Sequence, residues 1–215
     1  MTHISEYLEK VGAKHRYQLK QYEADKFEGA KSAFIQCCKS IVPNWRDLNS
    51  ELTDNLVHYC MQSNEFKGDT SKGLLFMGST GTGKTVYLKA LALMMGYSNQ
   101  FKFKIYTGWE MEKVYLGEPT SQDTFSLETG LNAKMFGIDD IGEEHATVKR
   151  YGTEINVGVE ALTHRHLRYT DKGYLTFATT NLNAEMFSRK YGGRIESRIH
   201  EMFNLVIVNG NDLRK

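Results

Sequence analysis

The sequence predicts an α/β fold: a five-stranded parallel sheet flanked by helices, with a small helical region ahead of it. Three observations carry that prediction. From residue 72 onward, short apolar runs alternate with helical patterns, which is the signature of strands crossing over through helices. One such run leads through a glycine-rich loop into a helix. Another ends in two adjacent acids.

The glycine-rich loop is the centre of the chain. Leu74-Leu75-Phe76-Met77 reads as a buried strand, and Val86 through Leu93 reads as a helix. Between them lies Gly78-Ser79-Thr80-Gly81-Thr82-Gly83-Lys84-Thr85, with the phosphate-loop spacing GxxxxGK[ST] intact. Glycines at Gly78, Gly81 and Gly83 allow the backbone to turn its N–H groups inward toward phosphate oxygens. The start of the following helix, from Val86, adds its positive end to the same anion site. Lys84 is placed to reach the β- and γ-phosphates and the Thr85 hydroxyl to hold Mg²⁺. The segment from Gly78 to Val86 is thus the candidate ATP-binding segment.

Composition bounds the rest. The chain has 215 residues, 40% of them hydrophobic, enough for one domain or one domain with an appendage. Its 27 Lys+Arg and 26 Asp+Glu give a net charge of +1, so any nucleic-acid contact must come from a local patch. Cys37, Cys38 and Cys60 form no CxxC pair; they suggest small buried thiols in a reducing compartment, not a disulfide framework or zinc site. No apolar leader follows Met1 and no stretch is long enough to span a bilayer, so a cytoplasmic protein without membrane association is expected.

The chain divides at the polar connector Lys67-Gly68-Asp69-Thr70-Ser71-Lys72-Gly73, giving an expected helical region over 1–70 and an ATPase domain over 71–215. In the first region Phe27, Ala30, Phe34, Ile35, Cys38 and Ile41 recur at helical spacing until Pro43 stops the element. Leu52, Leu56, Tyr59 and Cys60 give a second amphipathic segment. Beyond the connector, strands are expected at 73–77, 101–106, 134–139, 174–179 and 205–208. A helix is expected at 153–167, with Ile155, Val159, Leu162 and His166 on one face.

Three further stretches carry chemistry. Lys134-Met135-Phe136-Gly137-Ile138-Asp139-Asp140 is an apolar strand ending in two acids, the layout of a Walker B motif. Asp139 is assigned to the metal opposite Thr85, and Asp140 to orienting or deprotonating the attacking water. Glu143 and Glu144 either tune this site or form a solvated acidic loop. The next strand ends in Thr179-Thr180-Asn181, which offers an amide to a water or a γ-phosphate oxygen. Arg194 and Arg198, four residues apart in Arg194-Ile195-Glu196-Ser197-Arg198-Ile199, share one helix face. They are candidates for an arginine finger offered to a neighbouring subunit, or else for surface ion pairs with Glu196 or Glu201.

In that order these motifs resemble the AAA+ ATPases, and in detail the DnaC-like helicase loaders and IstB-like transposition ATPases. The residues that carry the resemblance are Gly73-Leu74-Leu75-Phe76-Met77-Gly78, Ile138-Asp139-Asp140-Ile141-Gly142 with Glu144, Thr179-Thr180-Asn181-Leu182, Arg194 through Ile199, and Gly210-Asn211-Asp212-Leu213-Arg214. The resemblance covers the chain from Lys72 on. It implies that Asn181 is the sensor 1 residue, Arg198 the finger acting in trans with Arg194 behind it, and Arg214 the sensor 2 arginine near the γ-phosphate. With the chain stopping at Lys215, the helical lid is expected to be reduced or absent.

The resemblance also implies ATP and Mg²⁺ as cofactors, an ATP-dependent homo-oligomer, and single-stranded DNA in its pore. Lys102, Lys104, Trp109 and Lys113 are the candidate DNA contacts, since aromatic and basic residues together suit single strands. The plainer expectation is that Trp109 packs in the core and the lysines are solvated. His164 and His166 have HxH spacing but point apart on a helix, so they read as part of a basic, partly exposed face. The leading function is a loader that docks a replicative helicase through its N-terminal helices and places it on single-stranded DNA. The alternatives are an ATPase that activates a transposase and a nucleotide-gated scaffold with little turnover.

Overall fold

The computed structural model describes residues 23–99, 103–117, 127–145, 147–150 and 152–210. Five strands form one sheet in the order β2-β3-β6-β1-β7: β1 is Gly73–Met77, β2 Ile105–Thr107, β3 Met135–Asp139, β6 Leu175–Thr180 and β7 Phe203–Ile207. Every pairing in it is parallel. The strands' carboxyl ends therefore share one edge. The register sets Met77 beside Thr180 and Ile207, and Thr107 beside Asp139.

Strand β1 is buried throughout, and its side chains alternate between two hydrophobic layers. Leu74 and Phe76 face a layer built with Leu88 and Leu91 of α3 (Lys84–Asn99). The same layer contains Phe34 and Cys38 of α1 (Phe27–Ile41) and Leu56, Tyr59 and Cys60 of α2 (Ser50–Met61). Both N-terminal helices thus pack on the sheet's own core. The Tyr59 hydroxyl donates to the Lys72 carbonyl at 2.7 Å, fixing the entry to β1. Asn49 caps α2 by accepting from the Leu52 N–H at 3.0 Å.

Leu75 and Met77 face the other layer, with α4 (Gly108–Leu116), α6 (Val157–Lys172), α7 (Ala184–Tyr191) and α8 (Gly193–Met202). A short α5 (Leu127–Leu131) precedes β3. Arg165 of α6 is wholly buried here. It donates to the carbonyls of Leu131 (2.8 Å), Ala133 (2.7 Å) and Leu175 (2.6 Å) and to Thr176 Oγ1 (2.9 Å), tying α6 to the turn before β3 and to the start of β6.

The helix expected at 153–167 is a correction. Thr153–Ile155 is strand β5, paired antiparallel with β4 (Val148–Arg150), and Ile155 sits opposite Val148. Helix α6 starts only at Val157, where Asn156 accepts from the Val159 N–H at 2.9 Å, and it ends at Gly173, whose φ is 70°. The spacing from Ile155 to Val159 imitated a helical face, but the cap lies between them.

Strand bounds also shift. In the second strand, positions 101 and 102 lie outside the described residues, and Phe103 and Lys104 precede the strand. Strand β6 runs one residue later than expected, while β7 starts at Phe203 and ends at Ile207. Among the described residues no helix is long and apolar enough to cross a membrane.

Candidate nucleotide-binding site

At the carboxyl edge of the sheet the loop between β1 and α3 curls around a cavity of about 760 Å³. Gly81 (φ 85°) and Gly83 (φ 91°) take left-handed conformations that a side chain would strain. Thr82 closes the curl, its hydroxyl donating to the Ser79 carbonyl at 2.9 Å. Lys84 begins α3 and is folded back over the loop. Its ammonium donates to the carbonyls of Gly78 (2.9 Å) and Ser79 (2.7 Å) and to Asn181 Oδ1 (2.8 Å). Thr80, Gly81, Gly83, Lys84, Thr85 and Val86 all line the cavity.

The second half of the site comes from β3 and β6. Asp139 ends β3 nearly buried, and its Oδ1 accepts from Thr85 Oγ1 at 3.0 Å and from Thr179 Oγ1 at 2.7 Å. A hydroxyl and a carboxylate from two elements thus meet as hard oxygen donors, the set that suits Mg²⁺. Among the described residues no three His, Cys, Asp or Glu side chains form a metal cage. A Mg²⁺ ion completed by water and phosphate oxygens does not require one. Asp140 lines the cavity with a left-handed backbone (φ 54°), its N–H donating to Thr179 Oγ1 at 2.7 Å. Asn181 links the halves, with its oxygen toward Lys84 and its amide nitrogen 3.3 Å from Glu143 Oε1.

The two glutamates after Asp140 part company. Glu143 is exposed and lines the cavity, whereas Glu144 is turned into the core. The cavity's remaining wall is the segment between α1 and α2, through Val42, Asn44, Trp45, Arg46 and Leu48. In the sequence that segment reads only as a helix break. Its signal was an aromatic, Trp45, inside a Pro43-Asn44 turn; Trp45 is now buried edge-on against Tyr87 of α3.

The remaining candidates lie elsewhere. Arg194 is exposed on α8, and Arg198 donates to Thr163 Oγ1 at 2.6 Å; neither lines the cavity of its own chain. Arg214 and Lys102 lie outside the described residues. Trp109 does not pack in the core as the plainer expectation had it. It is 53% exposed on α4, with the Lys113 ammonium 3.7 Å from its ring centroid. Helix α4 buries Gly108, Met111 and Glu112, a face that Trp109 does not share. His164 meets Asn132 and His166 meets Glu201, so the two imidazoles do point apart.

No family model and no curated protein sequence matches the chain. Solved structures do. The DnaC helicase loader aligns with a TM-score of 0.57 and 19% identity, over 77% of this chain and 94% of that one. DnaI aligns with a TM-score of 0.57 and 20% identity, over 78% and 87%. AMPPCP-bound DnaA from Aquifex aeolicus aligns with a TM-score of 0.51 and 15% identity, over 79% and 50%. The chain therefore has the AAA+ ATPase fold, a P-loop α/β architecture. The DnaC and DnaI structures share this fold over most of their own length.

Proposed function

We propose that this chain is a Mg²⁺-dependent ATPase that acts in DNA replication as a loader of a replicative helicase. One observation carries the reading: a single hydrogen-bonded cluster joins Lys84 to Asn181 and Thr85 to Asp139, uniting three motifs from distant parts of the chain. The likeness to DnaC and DnaI supports the loader role, and that to AMPPCP-bound DnaA supports the nucleotide.

In this reading Lys84 exchanges its loop carbonyls for β- and γ-phosphate oxygens, and Asn181 follows it onto the γ-phosphate. Mg²⁺ held by Thr85 and Asp139 supplies neutralisation of the phosphate charge. Asp140 takes a proton from water as the water oxygen attacks the γ-phosphorus and the bond to the bridging β-phosphate oxygen breaks. Val42, Trp45 and Leu48 form the apolar wall for the base. Arg198, with Arg194 behind it, serves the site of a neighbouring copy, where such a finger is worth about 10³–10⁵ in rate. Exposed Trp109 with Lys113 offers a stacking platform for single-stranded DNA, worth about 1–3 kcal/mol per base. The region 1–70 docks the helicase.

Co-purification of the full chain with a hexameric replicative helicase in Mg·ATP is the expected result. Capture of a transposase with no helicase binding would favour the IstB-like reading. ATP binding without turnover, even with single-stranded DNA at high protein concentration, would leave a scaffold. Arg198→Ala is expected to keep nucleotide affinity and lose hydrolysis. Mixing it with Asp140→Asn should restore part of the rate, because each copy lends the other its intact half; no recovery at any ratio removes the trans finger.

A further inference from the structure

Glu144 is a buried carboxylate that the hydrolytic scheme does not use. It is 2% exposed, one residue beyond the cavity-facing Glu143. Its Oε2 accepts from the Gly142 N–H at 2.8 Å and its Oε1 from the Tyr191 hydroxyl at the end of α7. Burial first, and then this carboxylate, hold the Tyr191 hydroxyl protonated, far above the ordinary phenol range. Lys190, next to it, donates to the carbonyls of Gly142 (2.8 Å) and Glu144 (2.7 Å). Three bonds thus fasten the 142–144 loop to one end of α7, and a fourth closes the loop on itself.

Space for the carboxylate is made by two glycines from two other helices. A Cβ on Gly108, the first residue of α4, would lie 2.6 Å from Glu144 Oε2; one on Gly158, in the first turn of α6, would lie 2.5 Å from Oε1. Neither glycine has a left-handed backbone, so the missing side chain answers to room alone. The carboxylate thus lies against the first turns of both helices. Its neighbour His145 is held in turn by Glu112 of α4, through its N–H at 3.1 Å and its ring at 2.7 Å.

We propose that Glu144 is the positioning residue of the hydrolytic site: locked between α4, α6 and α7, it holds the loop that presents Asp140 and Glu143 to the γ-phosphate. This rests on the ATPase reading above. Because α7 leads directly into α8 with Arg194 and Arg198, the same lock sets the two catalytic contributions in one frame, the acid for the chain's own nucleotide and the arginine for a neighbour's.

Steady-state kinetics and nucleotide binding on the full chain test it. Glu144→Ala is expected to lower kcat about 10²-fold, the cost of an acid misplaced by about an ångström, while the nucleotide Kd stays within about threefold. Gly108→Ala, which crowds the carboxylate from another helix, is expected to lower kcat in the same way. In the double variant the two losses should not add, because the crowded group is gone. Glu144→Gln, which keeps shape and the Gly142 acceptor, should recover most of the rate.

Wild-type kcat in Glu144→Ala, or an equal loss of kcat and affinity, overturns the proposal. If Glu144→Ala does not fold, Tyr191→Phe decides: a lowered kcat at unchanged Kd supports it, and an unchanged kcat overturns it. A wild-type chain that binds Mg·ATP without hydrolysing it removes the ATPase reading itself, and that control is read before any variant.

Discussion

Lys84 and Arg165 are both cations taken out of water, 4% and 0% exposed, and both lean on backbone carbonyls. The carbonyls Lys84 contacts belong to a loop that wraps a cavity, and its third partner is an amide that itself reaches toward Glu143. Arg165 has donors fixed in a planar fork, its acceptors are the ends of two strand approaches, and neither it nor they line that cavity. A flexible ammonium whose partners can be exchanged is ready for a ligand. A rigid guanidinium enclosed on all sides is a staple. Burial of a charge therefore does not mark a functional group; an adjacent space into which its bonds can be redirected does.

The largest effect should come from the cation beside the cavity. Lys84→Ala is expected to cut hydrolysis by about 10³-fold, as loss of a preorganised charge at the reacting group does, while the melting temperature stays near that of the parent. Turnover at the parent rate would break the comparison at its first term.

Arg165→Met should do the opposite. Removing the fork leaves buried carbonyls without that donor and should cost about 3 kcal/mol of stability by urea denaturation. Nucleotide affinity of the folded fraction should not move; a loss of affinity at full stability would make Arg165 part of the site. A smaller version sharpens the point. Thr176→Val deletes only the acceptor of Arg165 Nε and should cost about 1.5 kcal/mol, with hydrolysis unchanged where the protein is folded.

The site was legible in the sequence wherever its parts are local. The loop from Gly78 to Thr85, the acids at the end of β3 and the amide after β6 each announce themselves by spacing, and the parallel register brings their strand ends together. What needed coordinates was contact between distant segments. Nothing near Val42 or Leu48 says that they meet the phosphate loop, because that contact depends on α1 and α2 packing over α3. Adjacent Glu143 and Glu144 look alike in sequence and diverge only because Gly108 and Gly158, from other helices, leave a pocket for the second. The error at 153–167 has the same origin. Ile155 is apolar because it faces Val148 across a hairpin, not because it continues the helical face that begins after Asn156.

The strand order has one more consequence, for the protein as it is being made. Strand β1, which feeds the phosphate loop, is flanked in the finished sheet by β6 and β7, which begin only at Leu175 and Phe203. Until those strands emerge from the ribosome, a nascent chain has its glycine loop displayed with nothing on either side of the strand that steadies it. The phosphate loop thus gains both of its flanking strands only once Phe203 through Ile207 have been made.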